Sequence, residues 1–262
     1  MSHIETQPRS VSQTEQYEKC AWRFYLQRVE RVTPRPAAWS NHGVAFHAAA
    51  EAFERSGRTM SAEEAVQLFS DEYAALTNAA LDKESNTDRW LSAGRYSGGE
   101  DIERRYVLGQ EQTAYYVEWA EEKGPDIWKT PEGEPALELY FLVELGGIQV
   151  RGYIDQLVTV KDAVRPRDLK TGSTKSKFQL QTYGIAVREL YGVEVNDADW
   201  YLAKDGRLSR PVKLDQVTAD ELGERYAAMD AGVKAGDFPA SPGYDCNFCD
   251  VSHECIFFSQ KT

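Results

Sequence analysis

The chain has 262 residues, of which 42% are hydrophobic, so it is long enough to bury a core. Its formal charge of −12 argues against binding nucleic acid through overall charge, although a local basic groove is compatible with a negative total. No stretch approaches the ~18 apolar residues that a membrane span needs, and "MSHIETQPRS" lacks the apolar core of a signal peptide. We therefore expect a cytoplasmic protein with no membrane partner.

Helices are predicted for the first 130 residues. Ser12 and Glu15 have the spacing of a capping box, and the apolar residues behind them recur at helical spacing, which predicts a helix that includes Cys20. The segment "NHGVAFHAAAEAFERSG" predicts a second helix that ends at its final glycine. Residues 58–130 have mostly helical patterns, and we interpret them as an inserted helical lobe.

Strands are predicted from about residue 136. In "ALELYFLVELGGIQVRGYIDQLVTV" polar and apolar residues alternate around Gly146-Gly147, which predicts a hairpin with a two-residue turn. A third strand carries "DLK" at 168–170, and a helix follows between Ser176 and Gly192. A strand-and-turn segment, "DWYLAKDGRL", precedes the last helix. The order of these elements predicts an α/β fold with a central mixed sheet flanked by helices.

Two acids and a lysine are expected to meet on the predicted sheet. Asp155 lies on the second arm of the hairpin, and Asp168 and Lys170 lie on the neighbouring strand, where they point to the same face. Two carboxylates form a hard oxygen site for Mg²⁺ or Mn²⁺, with the carbonyl of Leu169 as a further ligand. A lysine beside such a site can assist hydrolysis of a phosphodiester. An Asp-x-Lys triplet by itself is also a common surface ion pair.

Four cysteines form a second group. Cys246, Cys249 and Cys255 have the spacing Cys-x2-Cys-x5-Cys near the end of the chain, and Cys20 is the remaining thiol. Four thiolates can hold structural zinc or an iron–sulfur cluster, and the spacing does not distinguish the two.

Several motifs together resemble a known family. "GYIDQ" at 152–156, "DLKTG" at 168–172 and "QLQTY" at 179–183 accompany "GVAFH" at 43–47 and "SVSQTEQYEKCAWRFYLQRV" near the start. This set resembles the RecB-like branch of the PD-(D/E)XK nucleases, over about residues 10–56 and 136–262. The resemblance implies a restriction-endonuclease-like fold. It also implies a single nuclease domain, 1–262, made of N-terminal helices (10–57), a helical insertion lobe (58–130), a nuclease core (136–215) and a C-terminal helix with a cysteine-rich tail (216–262).

The resemblance also implies roles for individual residues. His47 corresponds to a metal ligand that acts with Asp155 and Asp168, and Lys170 corresponds to the catalytic lysine. Gln179 and Tyr183 correspond to residues that lie beside the site and contact substrate; their i, i+4 spacing places both on one helix face. Glu51 has the same spacing from His47, so we expect its carboxylate to orient the imidazole.

The cysteines resemble those of an iron–sulfur subset of this branch, similar to CRISPR-adaptation nucleases and exonuclease V-type enzymes. In that subset one N-terminal and three C-terminal cysteines bind a [4Fe-4S] cluster. The resemblance therefore implies that Cys20, Cys246, Cys249 and Cys255 hold such a cluster, with structural Zn²⁺ as the alternative.

The segment before the acid-x-lysine triplet departs from the family pattern. Relatives usually have apolar strand residues there, whereas this chain reads "RPRDLK". Pro166 favours a sheet edge or the start of a strand, because it has no N–H for the strand ladder. We expect Arg165 and Arg167 to face a phosphate backbone, and other basic residues near the site are Arg151, Lys175 and Lys177.

These features together predict a Mg²⁺- or Mn²⁺-dependent DNA nuclease, with exonuclease action on single-stranded DNA favoured. Aromatic residues of the helical lobe that could line a strand channel support this preference: Trp90, Tyr96, Tyr106 and Trp119. Recombination, repair, phage DNA processing and CRISPR adaptation are the expected settings, with a helicase or other proteins of these systems as partners. The alternative is a nucleic-acid-binding or adaptor subunit that does not cleave, stapled by an iron–sulfur or zinc site.

Overall fold

The computed structural model describes residues 3–172 and 176–258. The chain divides into two compact units. The larger unit consists of Pro36–Tyr140 and Tyr153–Gln216, and the smaller unit consists of the chain up to Arg35, Phe141–Gly152 and the chain from Val217 onward. No described helix is both long and apolar enough to cross a membrane.

The described residues form eight α-helices, six strands and three short 3-10 helices. The α-helices are α1 (His3–Thr6), α2 (Val11–Lys19), α3 (Ala21–Arg28), α4 (Ala38–Arg55), α5 (Ala62–Leu81), α6 (Gly98–Lys123), α7 (Lys177–Tyr191) and α8 (Ala219–Ala235). The strands are β1 (Leu137–Leu145), β2 (Ile148–Val160), β3 (Ala163–Lys170), β4 (Asp197–Leu202), β5 (Arg207–Leu208) and β6 (Val212–Lys213). The 3-10 helices are Thr87–Arg89, Tyr244–Phe248 and Ser252–Glu254.

The strands form one mixed sheet in the order β1-β2-β3-β4-β5, with β6 also paired to β4. Strand β3 is antiparallel to β2 and parallel to β4, while β5 and β6 are antiparallel to β4. Gly146 and Gly147 both have positive φ angles, 59° and 75°, as a two-residue hairpin turn requires. The predicted hairpin and the predicted mixed α/β architecture are therefore confirmed.

Helices α4, α5 and α6 pack together within the larger unit. Their buried alanine and aromatic side chains form one core with Leu169 of β3 and Tyr201 of β4. A capping box of Ser61 and Glu64 begins α5, and another begins α6. Trp119 is partly buried and packs against Tyr201 at the margin of this core. Trp90 is likewise buried, with its indole N–H donated to a backbone carbonyl.

Two expectations for the segment before the acid-x-lysine triplet were wrong. Pro166 lies inside β3, an interior strand, opposite Leu157. The N–H and carbonyl of Leu157 point away from β3, so Pro166 has no hydrogen bond to make with β2. On the other side, pairing with β4 begins only at Arg167. The N–H that Pro166 lacks therefore costs no hydrogen bond between strands. Arg165 and Arg167 do not face a phosphate backbone, because both pair with acids of β4.

The Arg167 ion pair is one of the most buried polar contacts of the larger unit. Its guanidinium donates two hydrogen bonds to Asp199, of 2.7 and 3.1 Å, and both side chains are 1% exposed. The parallel register of β3 and β4 places the two residues side by side, and the ring of Trp119 covers the guanidinium. Among the other predicted basic residues, Arg151 and Lys177 are exposed, and Lys175 lies outside the described residues.

In the smaller unit, the predicted first helix is interrupted at Cys20. The first segment, α2, is capped by Ser10, two residues before the predicted start. Cys20 has extended backbone angles, φ −162° and ψ 100°, and serves as the C-cap of α2 and the N-cap of α3. Cys20 is thus at a junction between helices, which corrects the expectation that it lies on a helix.

Candidate active site

The two predicted aspartates meet on adjacent strands of the larger unit. Asp155 of β2 and Asp168 of β3 each lie one residue beyond the Gln156–Arg167 pair, so the antiparallel register puts them opposite each other. Both side chains are buried. The backbone N–H of Leu169 donates a 2.7 Å hydrogen bond to Asp155 Oδ2, which fixes one carboxylate oxygen beside the next strand. The convergence that the sequence predicts is therefore present.

His47 reaches the same place from helix α4. Its Nε2 is 3.0 Å from the carbonyl oxygen of Leu169, and its Nδ1 is 3.6 Å from Asp155 Oδ2. Small residues on the buried face of α4, such as Ala49 and Ala50, let the helix pack closely against its neighbours in the core. The carbonyl of Leu169 is thus close enough to share a cation with His47 or to accept its N–H.

Glu138 is a member of the site that sequence reasoning missed. Its Oε1 is 3.4 Å from His47 Nδ1. Its φ angle is +45°, in the left-handed region, although it is the second residue of a strand. The preceding carbonyl, that of Leu137, accepts a hydrogen bond from Arg55 Nη2. No pattern in the sequence indicates this role, because the unusual φ angle interrupts the in-and-out alternation from which facing residues are predicted.

Glu51 does not orient the imidazole, which corrects the expectation from helix spacing. Its carboxylate accepts a 2.7 Å hydrogen bond from Arg55, four residues further along α4. The acids that neighbour His47 are Glu138 and Asp155. A shared helix face was therefore insufficient to predict a contact between Glu51 and His47, since Glu51 pairs with Arg55 instead.

Burial and mutual charge shift the pKa values of the clustered groups. Burial raises the pKa of Asp155, and burial together with the Asp155 charge raises the pKa of Asp168 to about 7. Burial alone would lower the pKa of His47, but Asp155, Glu138 and Asp168 outweigh it and raise that pKa to about 9. The acids of the cluster thus disfavour one another's charged forms, and together they favour the protonated form of His47.

Lys170 belongs to a hydrogen-bonded chain beside this cluster. Its Nζ is 2.9 and 3.0 Å from the two Asp168 oxygens and donates a 3.2 Å hydrogen bond to Gln179 Oε1. The amide of Gln179 in turn donates to the hydroxyl of Tyr183, at 2.8 Å. Gln179 and Tyr183 lie on one face of α7, as predicted, and the cap of α7 is supplied by Ser176.

The donor atoms suit a hard divalent cation. Among the described residues, His47, Glu138 and Asp155 are the one group of three histidine, cysteine or acidic side chains whose ligand atoms all lie within 4.8 Å of one another. The two carboxylates match the oxygen preference of Mg²⁺ or Mn²⁺, and the imidazole nitrogen favours Mn²⁺ over Mg²⁺. Asp168 is not a member of this group of three, and its carboxylate contacts the ammonium of Lys170 beside it.

The four cysteines all lie in the smaller unit and are free and half-buried. Arg35 anchors the cysteine-bearing tail through hydrogen bonds to the carbonyl of Cys249 and the hydroxyl of Ser252. The Sγ atom of Cys246 accepts the N–H of Gly243 at 3.4 Å. Burial raises the pKa of the Cys249 thiol, and a backbone N–H and the nearby Arg23 act against that effect.

The fold and the site define a class of protein. A mixed sheet flanked by helices, with one acid on β2 and an acid-x-lysine triplet on β3, is the arrangement of restriction-endonuclease-like hydrolases. The family model described as the PD-(D/E)XK nuclease superfamily matches residues 8–256. The chain belongs to this superfamily. The predicted superfamily is confirmed, while the RecB-like branch and the iron–sulfur subset remain predictions.

Two relatives from bacteriophages are similar over almost their whole lengths. The chain is 41% identical to the Gene 69 protein of Mycobacterium phage D29 over 268 residues, which cover 98% of this chain and all of the relative. It is 39% identical to the Gene 69 protein of Mycobacterium phage L5 over 279 residues, which cover 95% and 96%. These names state no activity.

Proposed function

We propose that this protein is a deoxyribonuclease that requires Mg²⁺ or Mn²⁺ and hydrolyses phosphodiester bonds. The observation that carries the proposal is the meeting of His47, Glu138 and Asp155 within 4.8 Å, directly beside the Asp168–Lys170 pair. Membership of a nuclease superfamily supports the reaction class. The clustered acids support the cation, because burial and mutual repulsion raise the pKa values of Asp155 and Asp168, and a divalent ion bound between them would favour their charged forms.

The residues that would hold the cation are His47, Glu138, Asp155 and Asp168, with the carbonyl oxygen of Leu169. A bound divalent cation would act as a Lewis acid on the phosphodiester and favour attack by water at neutral pH. The protein's own contribution is to hold the carboxylates rigidly, as the Leu169 N–H does for Asp155. His47 must release one of its protons when the cation binds, since only a nitrogen lone pair can be a ligand.

Lys170 would act on the scissile phosphate. Asp168 and Gln179 hold its ammonium group at the edge of the acidic cluster, so its position is set before substrate arrives. A fixed cation in a partly buried site stabilises charge that develops on phosphate oxygens. Tyr183 would support this geometry through Gln179, whose amide donates to its hydroxyl, and the half-buried Gln179 would contact substrate at the site.

The proposal includes DNA as the substrate, a preference for single strands, and exonuclease action. In this reaction class cleavage leaves 5′-phosphate and 3′-hydroxyl ends. The two phage relatives favour phage DNA processing among the predicted settings. Recombination, repair and CRISPR adaptation, with a helicase as partner, are the other settings in which such an activity is used.

The Lys170→Met variant tests the assignment. We expect it to bind Mn²⁺ like the wild type, measured by calorimetry, and to cleave end-labelled DNA about 10²–10³-fold more slowly, the usual effect of removing one positioned electrostatic group. Lys129→Met, at an exposed lysine of the same unit, is the matched control and should cleave normally. Normal cleavage by Lys170→Met would refute the role of the lysine. DNA binding without cleavage by the wild type would favour the adaptor alternative.

We further propose that the four cysteines hold a [4Fe-4S] cluster, with structural zinc as the alternative. All four thiols lie in the smaller unit and are free and half-buried, and Arg35 holds the tail segment that carries Cys249. Four cysteine thiolates are the ligands that such a cluster takes. Structural zinc takes the same four ligands, so metal analysis of the purified protein distinguishes the two.

A further inference from the structure

The outward face of helix α4 forms a groove that continues from the candidate active site. It has a volume of about 550 Å³, and we call it the α4 groove. Its lining includes Trp39, Gly43 and Val44, and it reaches His47 and Glu138 at the cluster. The opposite face of α4 is buried in the core. The groove therefore leads directly to the place where a phosphodiester would be cleaved.

Trp39 lies eight residues before His47 on the same helix, which places it about 12 Å along the axis. Its ring is half-buried. Within residues 3–172 and 176–258 the indole has neither a ring contact nor a hydrogen bond, whereas Trp22, Trp119 and Trp128 each pack against another aromatic ring. Packing inside the protein thus leaves the Trp39 ring available to a ligand.

Gly43 is not required by the packing of the protein. A Cβ atom at this position would meet only the hydroxyl of Thr171, at 3.7 Å, which is an ordinary contact. Glycine is nevertheless the poorest helix former after proline, and Gly43 lies inside an 18-residue helix. The neighbouring Val44 is 51% exposed. A ligand that passes close to the helix backbone would explain both the glycine and the exposed apolar side chain.

The chemistry of the groove lining indicates which part of a ligand would bind there. Its walls are apolar around Trp39 and Val44, and the described residues that line it include no lysine or arginine to hold a phosphate there. Nucleobases are flat and uncharged, and they stack on aromatic rings without sequence preference. The bases of a strand would therefore lie in the groove, while its phosphates lie toward the cluster and Lys170.

We propose that the α4 groove binds the nucleotides next to the scissile phosphate, with Trp39 stacking on a base and Gly43 leaving room for the strand. This inference rests on the proposed nuclease function and names a substrate-binding element of that site. Because the aromatic platform needs an unpaired base, the groove favours single-stranded over double-stranded DNA. Trp39 is a positioning residue for substrate and takes no part in proton transfer.

The test compares two labelled oligomers of equal length, an oligothymidine and an oligomer of abasic deoxyribose phosphates. Binding is measured by fluorescence anisotropy with Ca²⁺, and cleavage is measured separately with Mn²⁺. Trp39→Ala should weaken binding of the oligothymidine about five- to 150-fold, as loss of one base–aromatic stack does, and change binding of the abasic oligomer less than about twofold. Trp39→Phe keeps an aromatic ring and should restore most of the affinity.

Gly43→Ala provides an independent variant for the same groove. We expect it to unfold at the same or a higher temperature than the wild type and to bind the oligothymidine more weakly. Equal losses on both oligomers in Trp39→Ala, or no loss on either, would overturn the inference, as would a wild type that binds neither oligomer. A wild type that discriminates the oligomers through Trp39 but never cleaves in Mn²⁺ would refute the nuclease function and leave the groove assignment standing.

Discussion

Replacing Glu138 by glycine should separate the two properties that the structure gives this residue. Its carboxylate belongs to the candidate cation site, and its backbone has a φ angle of +45°, which side chains with a Cβ atom adopt at a cost. Glu138→Gln removes only the negative charge. Glu138→Gly removes the charge and the steric conflict. The difference between the two variants therefore reports the backbone cost less the extra conformational entropy of glycine, since relief of charge repulsion is common to both.

The size of that difference follows from the φ angle. Left-handed backbone costs a residue with a Cβ atom about 1–2 kcal/mol. Glycine in a strand lowers the free energy of unfolding by about 0.5–1 kcal/mol relative to alanine, because the unfolded chain gains conformational freedom. We therefore expect the free energy of unfolding of Glu138→Gly to exceed that of Glu138→Gln by roughly 1 kcal/mol. Both variants should lose cleavage, because one anionic ligand is gone.

Unfolding is measured by circular dichroism without divalent metal, and cleavage is measured with Mn²⁺. The same pair of substitutions at Glu144, an exposed residue of β1 with ordinary φ, is the matched control. There glycine should be less stable than glutamine by about 0.5–1 kcal/mol. If Glu138→Gly is no more stable than Glu138→Gln, the backbone holds no strain at this position. If Glu138→Gln cleaves like the wild type, Glu138 is not part of the site.

Three further outcomes are expected. Burial and the charge of a nearby arginine lower the pKa of His42 to about 4 in the folded protein. Below about pH 6.5 the unfolded chain therefore binds more protons at His42 than the folded protein does. Between pH 7 and pH 5 the free energy of unfolding of the wild type should fall by about 2 kcal/mol more than that of His42→Gln. Asp199→Asn should lower the free energy of unfolding by about 3–5 kcal/mol, because it leaves the buried Arg167 without its counter-ion. Glu51→Gln breaks a partly exposed ion pair and should lower it by under about 1 kcal/mol. Anaerobically purified wild type should contain about four irons per chain, and Cys20→Ser should lose them.

Each outcome has a result that would contradict it. Equal pH dependence of wild type and His42→Gln would show that the histidine is not held neutral in the fold. Similar losses for Asp199→Asn and Glu51→Gln would contradict the argument from burial. A colourless preparation with one zinc per chain would replace the cluster by a structural metal, and cleavage could then be compared before and after zinc removal.

Much of the fold was predictable because its signals are local. The hairpin is encoded by alternation around Gly146-Gly147, and the caps of α5 and α8 are encoded by residues three apart. The convergence of Asp155 with the acid-x-lysine triplet followed from strand pairing. These predictions depend on neighbours in sequence or on one hairpin, where geometry leaves few alternatives.

The misplaced predictions depended on contacts between distant segments. Glu51 shares a helix face with His47, but the imidazole meets Glu138, which is 91 residues away in sequence. Arg167 looked available for a phosphate because its partner, Asp199, lies on a strand that only the parallel crossover brings alongside. The helix break at Cys20 has no proline or glycine to announce it. For Glu51 and Arg167 the deciding contact is with a distant segment, and for Cys20 the local sequence gives no signal for the break.

The most direct test of the nuclease assignment is cleavage of end-labelled single-stranded DNA as Mn²⁺ is returned to metal-free protein, with Asp155→Asn measured in parallel. The wild type should cut only when the cation is present and should leave 5′-phosphate ends, while Asp155→Asn should remain inactive. Cutting by the wild type in the presence of a chelator, or equal cutting by Asp155→Asn, would contradict a catalytic centre built on His47, Glu138 and Asp155.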